Sequence, residues 1–307
     1  IGYTVYTNTP PVGAYRGYGH QESQFAAERM MDILARKLNM DPFKLREMNY
    51  LTEGKVNALG EKMWKMNGDI NKCVDVIKKN VYAADKPKED ENFYYGRGVA
   101  AIMKSPKGAS HSTKGIYMKM NIDGSVSVNV GGAEVGQGLR TVVVQITAEA
   151  LKIDPSRVRV SNDIDTQYCP YEWQTIGSMF TTQGGRAIIR AADKIIKMLK
   201  ETASQVLKTD IDLLDYDGEW VYLRSDPSIR VAVKDINRGY ITNDGITIGE
   251  MAQAATSARL PRYSGFDENG QGSLGVSYTF GMQAAEIRIE KKTGKIFVDH
   301  FASSFDV

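Results

Sequence analysis

The most constraining feature of this sequence is a change of hydrophobic period between residues 116 and 151. Apolar and polar residues alternate on either side of Asp123-Gly124, a pair that favours the tight turn of a β-hairpin. The glycine-rich stretch GGAEVGQG follows at residues 131–138, and apolar residues then return at helical spacing, as Leu139, Val142, Val143, Ile146 and Ala150. We therefore predict strand, turn, strand, glycine loop and helix in immediate succession.

Similar patterns recur along the chain. Residues 284–301 predict a second hairpin, and two further stretches predict amphipathic helices. The first of these helices has Ala27, Met30, Met31, Leu34 and Leu38 on one face, and the second would bury Ile188, Ala191, Ile195 and Leu199. Hairpins interleaved with helices predict an α+β fold, in which mixed hairpin sheets pack with amphipathic helices, rather than a doubly wound parallel sheet.

The length of 307 residues, with 42% hydrophobic and 25% charged residues, predicts a globular chain divided into two domains. We place the first domain at residues 1–55, a polar, glycine-containing linker at 56–69 and the second domain at 70–307. The chain lacks an initiator Met and reads as though it begins within a domain, so we expect a piece of a longer polypeptide or a subunit.

Charge and cysteine usage argue against several classes of protein. The net charge of +2 predicts no nucleic-acid partner, and no apolar run approaches membrane-spanning length. Cys73 and Cys169 form no C-x-x-C pair, so we expect no iron–sulfur cluster held by this chain, and a reducing, cytoplasmic location. Because His20, His111 and His300 lie far apart in sequence, any metal would have to arrive within an organic cofactor.

The glycine loop fails the patterns of known phosphate loops. Gly131 and Gly136 have P-loop spacing, but Gln137-Gly138 stands where G-x-x-x-x-G-K-(S/T) requires lysine. The dinucleotide pattern G-x-G-x-x-G fails because no third glycine follows Gly138. What remains is a helix start with exposed amides and the neutral side chain of Gln137, which suits a large uncharged heterocycle. Equally, the glycines could serve only a tight turn.

Two other stretches raise the same choice between a binding role and a structural one. In GAYRGYG, Tyr15, Arg16 and Tyr18 stand among glycines, where an aromatic ring can lie flat against a planar ligand or merely fill a loop. GSMFTTQGGRA predicts a second helix start rich in backbone amides. Glu134 and Glu22 lie near such loops, where a carboxylate can also act as a helix-end or turn partner.

Together these segments resemble the molybdenum-binding part of the xanthine dehydrogenase / aldehyde oxidase family of molybdenum hydroxylases. TNTPPVGAYRGYG is similar to the family's T-N-x-x-x-x-G-A-(F/Y)-R-G-(F/Y)-G segment, and GGAEVGQG to its G-G-x-E-x-G-Q-G loop. ERMMDILARKLNMDPFKLREMN resembles its helix pair, which has the pattern E-x-x-(M/L)-D-x-x-A-x-x-L-x-x-D-P-x-x-x-R-x-x-N. GS with GGRA resembles its next cofactor loop, and SSFDV the start of its D-V-G-x-x-x-N-P stretch.

The resemblance implies a molybdopterin, in the mononucleotide or the cytosine dinucleotide form, whose dithiolene holds the molybdenum, so that no side chain of this chain binds the metal directly. The cofactor-binding residues that it implies are Arg16, Gly136, Gln137, Gly138, Gly177 and Ser178. Tyr18 would lie against the ring of a substrate. At Met179 the chain departs from the arginine of many relatives, which concerns the tail of the cofactor.

The resemblance also implies what this chain lacks. The family's catalytic base is a glutamate in a G-E-x-P motif, which does not occur in these 307 residues, so we expect the base beyond Val307 and no turnover by this chain alone. Electrons would pass to 2Fe-2S clusters and usually FAD on partner segments or subunits, and we expect an oligomeric assembly with them and with the remaining molybdopterin-binding segments.

Tyr18 favours a planar N-heterocycle, of purine or nicotinate type, which would be hydroxylated with oxygen derived from water. A small aldehyde and a hydroxybenzoyl-CoA reductase-type reaction remain alternatives within the family. The carbon monoxide branch is set aside, because GAYRGYG has no cysteine. A non-catalytic binding or scaffold module, with purely structural glycine loops, is the alternative from a different class.

Overall fold

The computed structural model describes residues 3, 5–10, 15–83, 85, 87–105, 112–161, 163–259, 265–273, 275 and 277–306. The helices are α1 (His20–Lys37), α2 (Pro42–Asn49), α3 (Ile70–Val81), α4 (Leu139–Leu151), α5 (Gly185–Leu207) and α6 (Val233–Ile236). The strands are β1 (Phe93–Lys104), β2 (Lys114–Met120), β3 (Val126–Val130), β4 (Val158–Val160), β5 (Leu214–Tyr216), β6 (Trp220–Leu223), β7 (Asp226–Ala232), β8 (Arg238–Ile241), β9 (Thr247–Met251), β10 (Gln253–Ala258), β11 (Gly265–Phe266), β12 (Gly272–Ser273), β13 (Thr279–Glu290) and β14 (Ile296–Asp306). Short 3₁₀ turns lie at Lys65–Asn67, Pro155–Arg157 and Ile211–Leu213, and a π-helical turn at Phe180–Gly184.

The chain forms two compact units. Unit 1 consists of Ile1–Ser105 and Ser277–Val307, and unit 2 of Pro106–Val276. Helices pack on small sheets of mixed connectivity, which confirms the predicted α+β fold class. No helix in the described ranges is long and apolar enough to cross a membrane.

The predicted domain boundaries, with a linker at residues 56–69, stay a prediction. Within unit 1 this stretch has structure of its own: Val56 and Lys62 form an antiparallel bridge, and the side chain of Met63 is buried.

Unit 1 contains an antiparallel sheet in the order β1-β13-β14, and β13–β14 is the predicted second hairpin. Helix α3 packs on β13 and β14. Its buried residues recur at helical spacing and are Ile70, Cys73, Val74, Ile77 and Val81. Apolar periodicity therefore explains both the helix and the sheet face that it covers.

Helix α1 is present as predicted. In this chain Met30, Leu34 and Leu38 of its apolar face are exposed, and the buried residue of the helix is Ala35. A polar contact that spacing alone does not reveal joins this helix to α2.

That contact is centred on Arg46 of α2, whose side chain is only 1% exposed. Its guanidinium donates to Glu28 Oε2 at 2.7 Å and to Asp32 Oδ1 at 2.9 Å, so two carboxylates of α1 turn toward α2. Glu28 Oε2 also accepts the N–H of Ala101 in β1 at 3.1 Å. A buried cation needs paired anions, and this network therefore ties α1, α2 and β1 together.

Unit 2 contains a four-stranded sheet in the order β10-β2-β3-β4. The hairpin predicted around Asp123-Gly124 is confirmed as β2 and β3, in which Met118 pairs with Val128. Strand β4 joins β3 in parallel, and α4 forms the connection between them.

Helix α5 packs on β2, β10 and α4 and buries the face that its periodicity predicts, with Ile188, Ala191, Ile195 and Leu199 each 1% exposed or less. A second antiparallel sheet, β5-β6-β7, also contacts α5. The helix is therefore the centre of the hydrophobic core of unit 2.

The Arg46 network predicts a large stability effect. Substitution Arg46→Met should lower the free energy of unfolding by about 3 kcal/mol, because it leaves two carboxylates facing the interior without their cation. Lys44→Met, at an exposed position of the same helix, is the matched control and should change stability little. Chemical denaturation measures both variants, and equal stabilities would contradict the assigned role of Arg46.

Candidate functional site

The glycine loop (residues 131–138) lies in unit 2, between the carboxyl end of β3 and the start of α4. Both flanking residues are anchored in the core, since Val130 is 2% and Leu139 3% exposed. Residues 135–137, at the centre of the loop, are exposed. The fold therefore presents the middle of the loop to solvent while holding its two ends in place.

Glu134 caps the start of α4. One carboxylate oxygen accepts the N–H groups of Gly136 and Gly138, each at 3.0 Å, and the other accepts the N–H of Arg140 at 3.2 Å. These backbone hydrogen bonds, with that of Gly138 foremost, lower the pKa of Glu134. The prediction of exposed amides at this helix start is therefore wrong for these three groups, and the helix-end role considered for Glu134 is confirmed.

The side chain of Gln137 also forms hydrogen bonds within the glycine loop. Its Oε1 accepts the N–H of Val135 at 2.7 Å, and its Nε2 donates to the carbonyl of Ala133 at 2.8 Å. A carboxamide has two N–H groups and two acceptor lone pairs, so one of each remains after these bonds. The exposed Gln137 can thus hold the loop and still offer a neutral donor and acceptor; its contact with a pterin stays a prediction.

The glycines of the loop serve two different purposes. A Cβ at Gly131 would lie 2.5 Å from the carbonyl oxygen of Pro170, and one at Gly132 would lie 2.7 Å from Leu139, so these two permit close internal packing. At Gly136 (φ +102°) and Gly138 (φ +81°) a Cβ would meet no atom within 4 Å. These two face open space, in a left-handed conformation that a side chain would strain.

The predicted GSMFTTQGGRA segment begins at Gly177, at the end of a loop of residues 172–178 that we call the second loop, and this loop precedes the π-helical turn and α5. Gly177 (φ +60°) and Ser178 (φ +58°) are both left-handed, which is uncommon for a serine. Met179, where the resemblance would place an arginine, is fully buried. Ser178 is an exposed polar residue of this loop, and its contact with a cofactor stays a prediction.

A hydrogen bond joins the two loops directly. The N–H of Ala133 in the glycine loop donates to Thr175 Oγ1 in the second loop at 2.8 Å. Thr175 Oγ1 also donates to Glu172 Oε1 at 3.3 Å, and Glu172 pairs with Lys114 at the start of β2. The structure thus connects the loop that carries Gly136, Gln137 and Gly138 to the loop that ends in Gly177 and Ser178, through Ala133 and Thr175, which sequence reasoning missed.

The Lys114–Glu172 pair is deeply buried, with side chains 0% and 7% exposed. Burial raises the pKa of Glu172 and lowers the pKa of Lys114, and in each case the other partner opposes the shift. No local spacing signals the pair, because the two residues are 58 positions apart.

Arg16 and Tyr18 lie in unit 1, in the turn that precedes α1. Tyr18 is left-handed (φ +56°) and 64% exposed, and the guanidinium of Arg16 lies 6.0 Å from the ring centre of Tyr15. An exposure of this size shows that, among the residues that the structure describes, the ring of Tyr18 does not fill the interior of its loop. Their predicted roles toward cofactor and substrate stay predictions; Gly13 and Ala14 of the same motif lie outside the described residues.

In the ranges that the structure describes, no group of three or more His, Cys, Asp and Glu side chains comes together to hold a metal ion. His111 falls outside those ranges.

The capping role of Glu134 generates a pH-dependent prediction. Because its pKa is lowered on folding, its contribution is present above the ordinary value of 4.5 and is lost as the pH falls through the lowered folded value. Glu134→Gln should give several-fold lower hydrogen-exchange protection of the Gly138 and Arg140 amides at pH 7, and should remove the pH dependence. Glu149→Gln, at an exposed position of α4, is the control, and unchanged protection in Glu134→Gln would contradict the cap.

Comparisons with known proteins match this chain to family models in two separate segments. A family model described as molybdopterin cofactor-binding domain matches residues 75–307, and a second model of that description matches residues 1–50. The "Probable hypoxanthine oxidase XdhD" of Escherichia coli (strain K12) is 27% identical over 99% of this chain and 31% of its own length. The "Xanthine dehydrogenase molybdenum-binding subunit" of Escherichia coli O157:H7 is 29% identical over 76% of this chain and 32% of its own. The chain therefore spans about a third of the length of these curated relatives.

Among solved structures, quinoline 2-oxidoreductase from Pseudomonas putida 86 has the same fold, with a TM-score of 0.73 at 20% identity over 95% of this chain and 38% of that one. The first family model covers well over half of the chain, and the glycine loop and the second loop both lie within the matched residues. The chain belongs to the molybdopterin cofactor-binding domain family of the xanthine dehydrogenase-type molybdenum hydroxylases, which are oxidoreductases.

Proposed function

We propose that this chain contributes cofactor-binding loops to a molybdenum hydroxylase that oxidises a planar N-heterocycle of purine or nicotinate type with oxygen derived from water. The observation that carries the proposal is the open side of the glycine loop. Gly136 and Gly138 turn their Cβ positions toward open space, beside an exposed carboxamide on Gln137. A flat ligand can approach such backbone closely, because no side chain intervenes.

The electrostatics of the loop favour a neutral ligand over a phosphate. The Glu134 carboxylate already occupies the helix-start amides that a phosphate would need, and its negative charge repels a second anion there. A pterin ring is uncharged and rich in hydrogen-bonding groups, so the residues present fit it. We infer that the phosphate tail of the cofactor binds away from this helix start.

Each residue then has a defined task. Gln137 would hydrogen-bond the pterin through its remaining donor and acceptor, while the backbone at Gly136 and Gly138 approaches the ring. Gly177 and Ser178 would line the second side, and Arg16 would flank the cofactor with Tyr18 against the substrate ring. The bound molybdenum would supply the two-electron oxidation.

Partner subunits with 2Fe-2S clusters and FAD would take up the electrons. The name of the matched molybdenum-binding subunit supports an assembled enzyme, and the name of XdhD supports a purine-like substrate. A cytoplasmic location remains part of the proposal, on the basis of cysteine usage. An aldehyde, a hydroxybenzoyl-CoA reductase-type reaction and a non-catalytic scaffold are the competing outcomes.

Cofactor analysis tests the binding role. When the chain is co-expressed with iron–sulfur and flavin partners, the purified complex should contain molybdenum and an oxidisable, fluorescent pterin. Gln137→Leu should weaken retention about fivefold, the equivalent of one neutral hydrogen bond of about 1 kcal/mol. Gln205→Leu, at an exposed position of α5, is the control. Absence of both molybdenum and pterin in the wild-type complex would support the scaffold instead.

Substrate kinetics test the role of Tyr18. Tyr18→Ala should raise the KM for N-heterocycles about two- to tenfold, because a stacking contact contributes roughly 0.5–1.5 kcal/mol. The same substitution at Tyr94, an exposed tyrosine of β1 outside the candidate loops, should leave the KM unchanged. An unaltered KM for heterocycles in Tyr18→Ala would remove the stacking role, and a preference of the wild type for aldehydes would overturn the substrate class.

A further inference from the structure

Unit 2 contains a buried cation, Lys114, whose side chain and backbone both contact the second loop. The side chain of Lys114 is fully buried, and its ammonium group contacts both Glu172 Oε1 and the backbone carbonyl of Gln174. The backbones are also bridged, since Lys114 pairs with Glu172 and the N–H of Gly115 donates to the carbonyl of Tyr171 at 2.8 Å. Lys114, the first residue of β2, thus binds the start of the second loop through its side chain and its backbone.

Thr175 connects these contacts to the glycine loop. Its hydroxyl has one hydrogen and two lone pairs, and the ionised carboxylate of Glu172 can only accept. The hydroxyl hydrogen therefore points to Glu172 Oε1, at 3.3 Å, which leaves a lone pair for the N–H of Ala133 at 2.8 Å. The carboxylate sets the direction of the hydroxyl, and the hydroxyl sets the position of Ala133.

Stability alone is a poor reason for this arrangement. Desolvation of two charges commonly cancels their attraction, and an apolar pair of similar volume is often as stable. Moreover, Glu172 Oε2 is buried and has no hydrogen-bond partner among the described residues. What an apolar pair could not supply is an acceptor for the Thr175 hydrogen, which keeps that hydrogen directed away from the Ala133 N–H.

We propose that Lys114, Glu172 and Thr175 form a positioning relay that sets the glycine loop against the second loop. Lys114 holds the Glu172 carboxylate, Glu172 orients the Thr175 hydroxyl, and Thr175 holds Ala133, whose carbonyl in turn accepts from Gln137. The relay thereby connects a buried ion pair to the exposed carboxamide of the candidate site. Its effect on a pterin rests on the proposed function, whereas the coupling of the loops is a property of this chain alone.

Hydrogen exchange of the Ala133 amide in the 307-residue chain tests the coupling. Thr175→Val removes the hydroxyl at nearly constant volume and should lower the protection of Ala133 at least tenfold. Thr175→Ser restores the hydroxyl and should restore protection, which a loss of packing would not allow. Thr247→Val, at an exposed position of β9, controls for the change itself. Wild-type protection of Ala133 in Thr175→Val would overturn the relay.

A second variant separates positioning from folding. Replacement of the buried pair by apolar residues, Lys114→Met with Glu172→Leu, should leave the denaturation midpoint near that of the wild type. It should lower Ala133 protection several-fold, though less than Thr175→Val, because the hydroxyl remains but its hydrogen is no longer directed away from Ala133. Full Ala133 protection in this double variant would show that the ion pair does not orient the hydroxyl, and would overturn its part in the relay.

Cofactor retention in the co-expressed complex tests the consequence for the ligand. Thr175→Val should retain several-fold less pterin than Thr175→Ser. Equal retention by the two, beside a pterin-containing wild type, would overturn the positioning of the ligand. A wild type without pterin would instead overturn the proposed function, and the exchange results would then decide the coupling of the loops independently.

Discussion

The unpaired N–H groups at the start of α4 are the constraint on which the glycine loop depends. A helix start leaves four such groups without partners, and a loop of glycines has no side chains to satisfy them. Glu134 supplies the missing acceptor from within the loop, so that one carboxylate binds three backbone amides. The same contact decides the chemistry of the site, because a helix start that holds its own anion is left to receive a neutral ligand.

Buried cations organise both units. In unit 1, Arg46 pairs with Glu28 and Asp32 and connects two helices with a strand. In unit 2, Lys114 pairs with Glu172 below the loops of the candidate site. The Lys114–Glu172 pair joins residues 58 positions apart, and Glu28 connects the Arg46 pair to Ala101, 73 positions away. Hydrophobic burial explains that these elements pack, whereas these ion pairs explain the geometry in which they do so.

The parts of the fold that sequence reasoning predicted well are those governed by local periodicity. The β2–β3 hairpin and the buried face of α5 follow from alternation and from helical spacing, because burial repeats with the geometry of the element itself. The spacing of apolar residues predicted α1 as a helix, but it did not reveal the contact of Glu28 with Arg46, because ion pairing follows no helical period. Of the candidate site, the glycine loop, Ser178 and the helix-end role of Glu134 could be read from the sequence, but the contact of Thr175 with Ala133 could not.

By itself, the sequence determined the order of the elements, the family to which the motifs belong and the absence of lysine from the glycine loop. Those properties depend on residue types and short spacings, which can be read directly from the amino-acid sequence. Only the tertiary structure decided which glycines face open space, that Gln137 and Glu134 first satisfy the loop itself, and that Lys114 reaches Glu172 across 58 positions. These outcomes depend on which polar groups become buried together, and a buried group must find its partner wherever the folded chain places one.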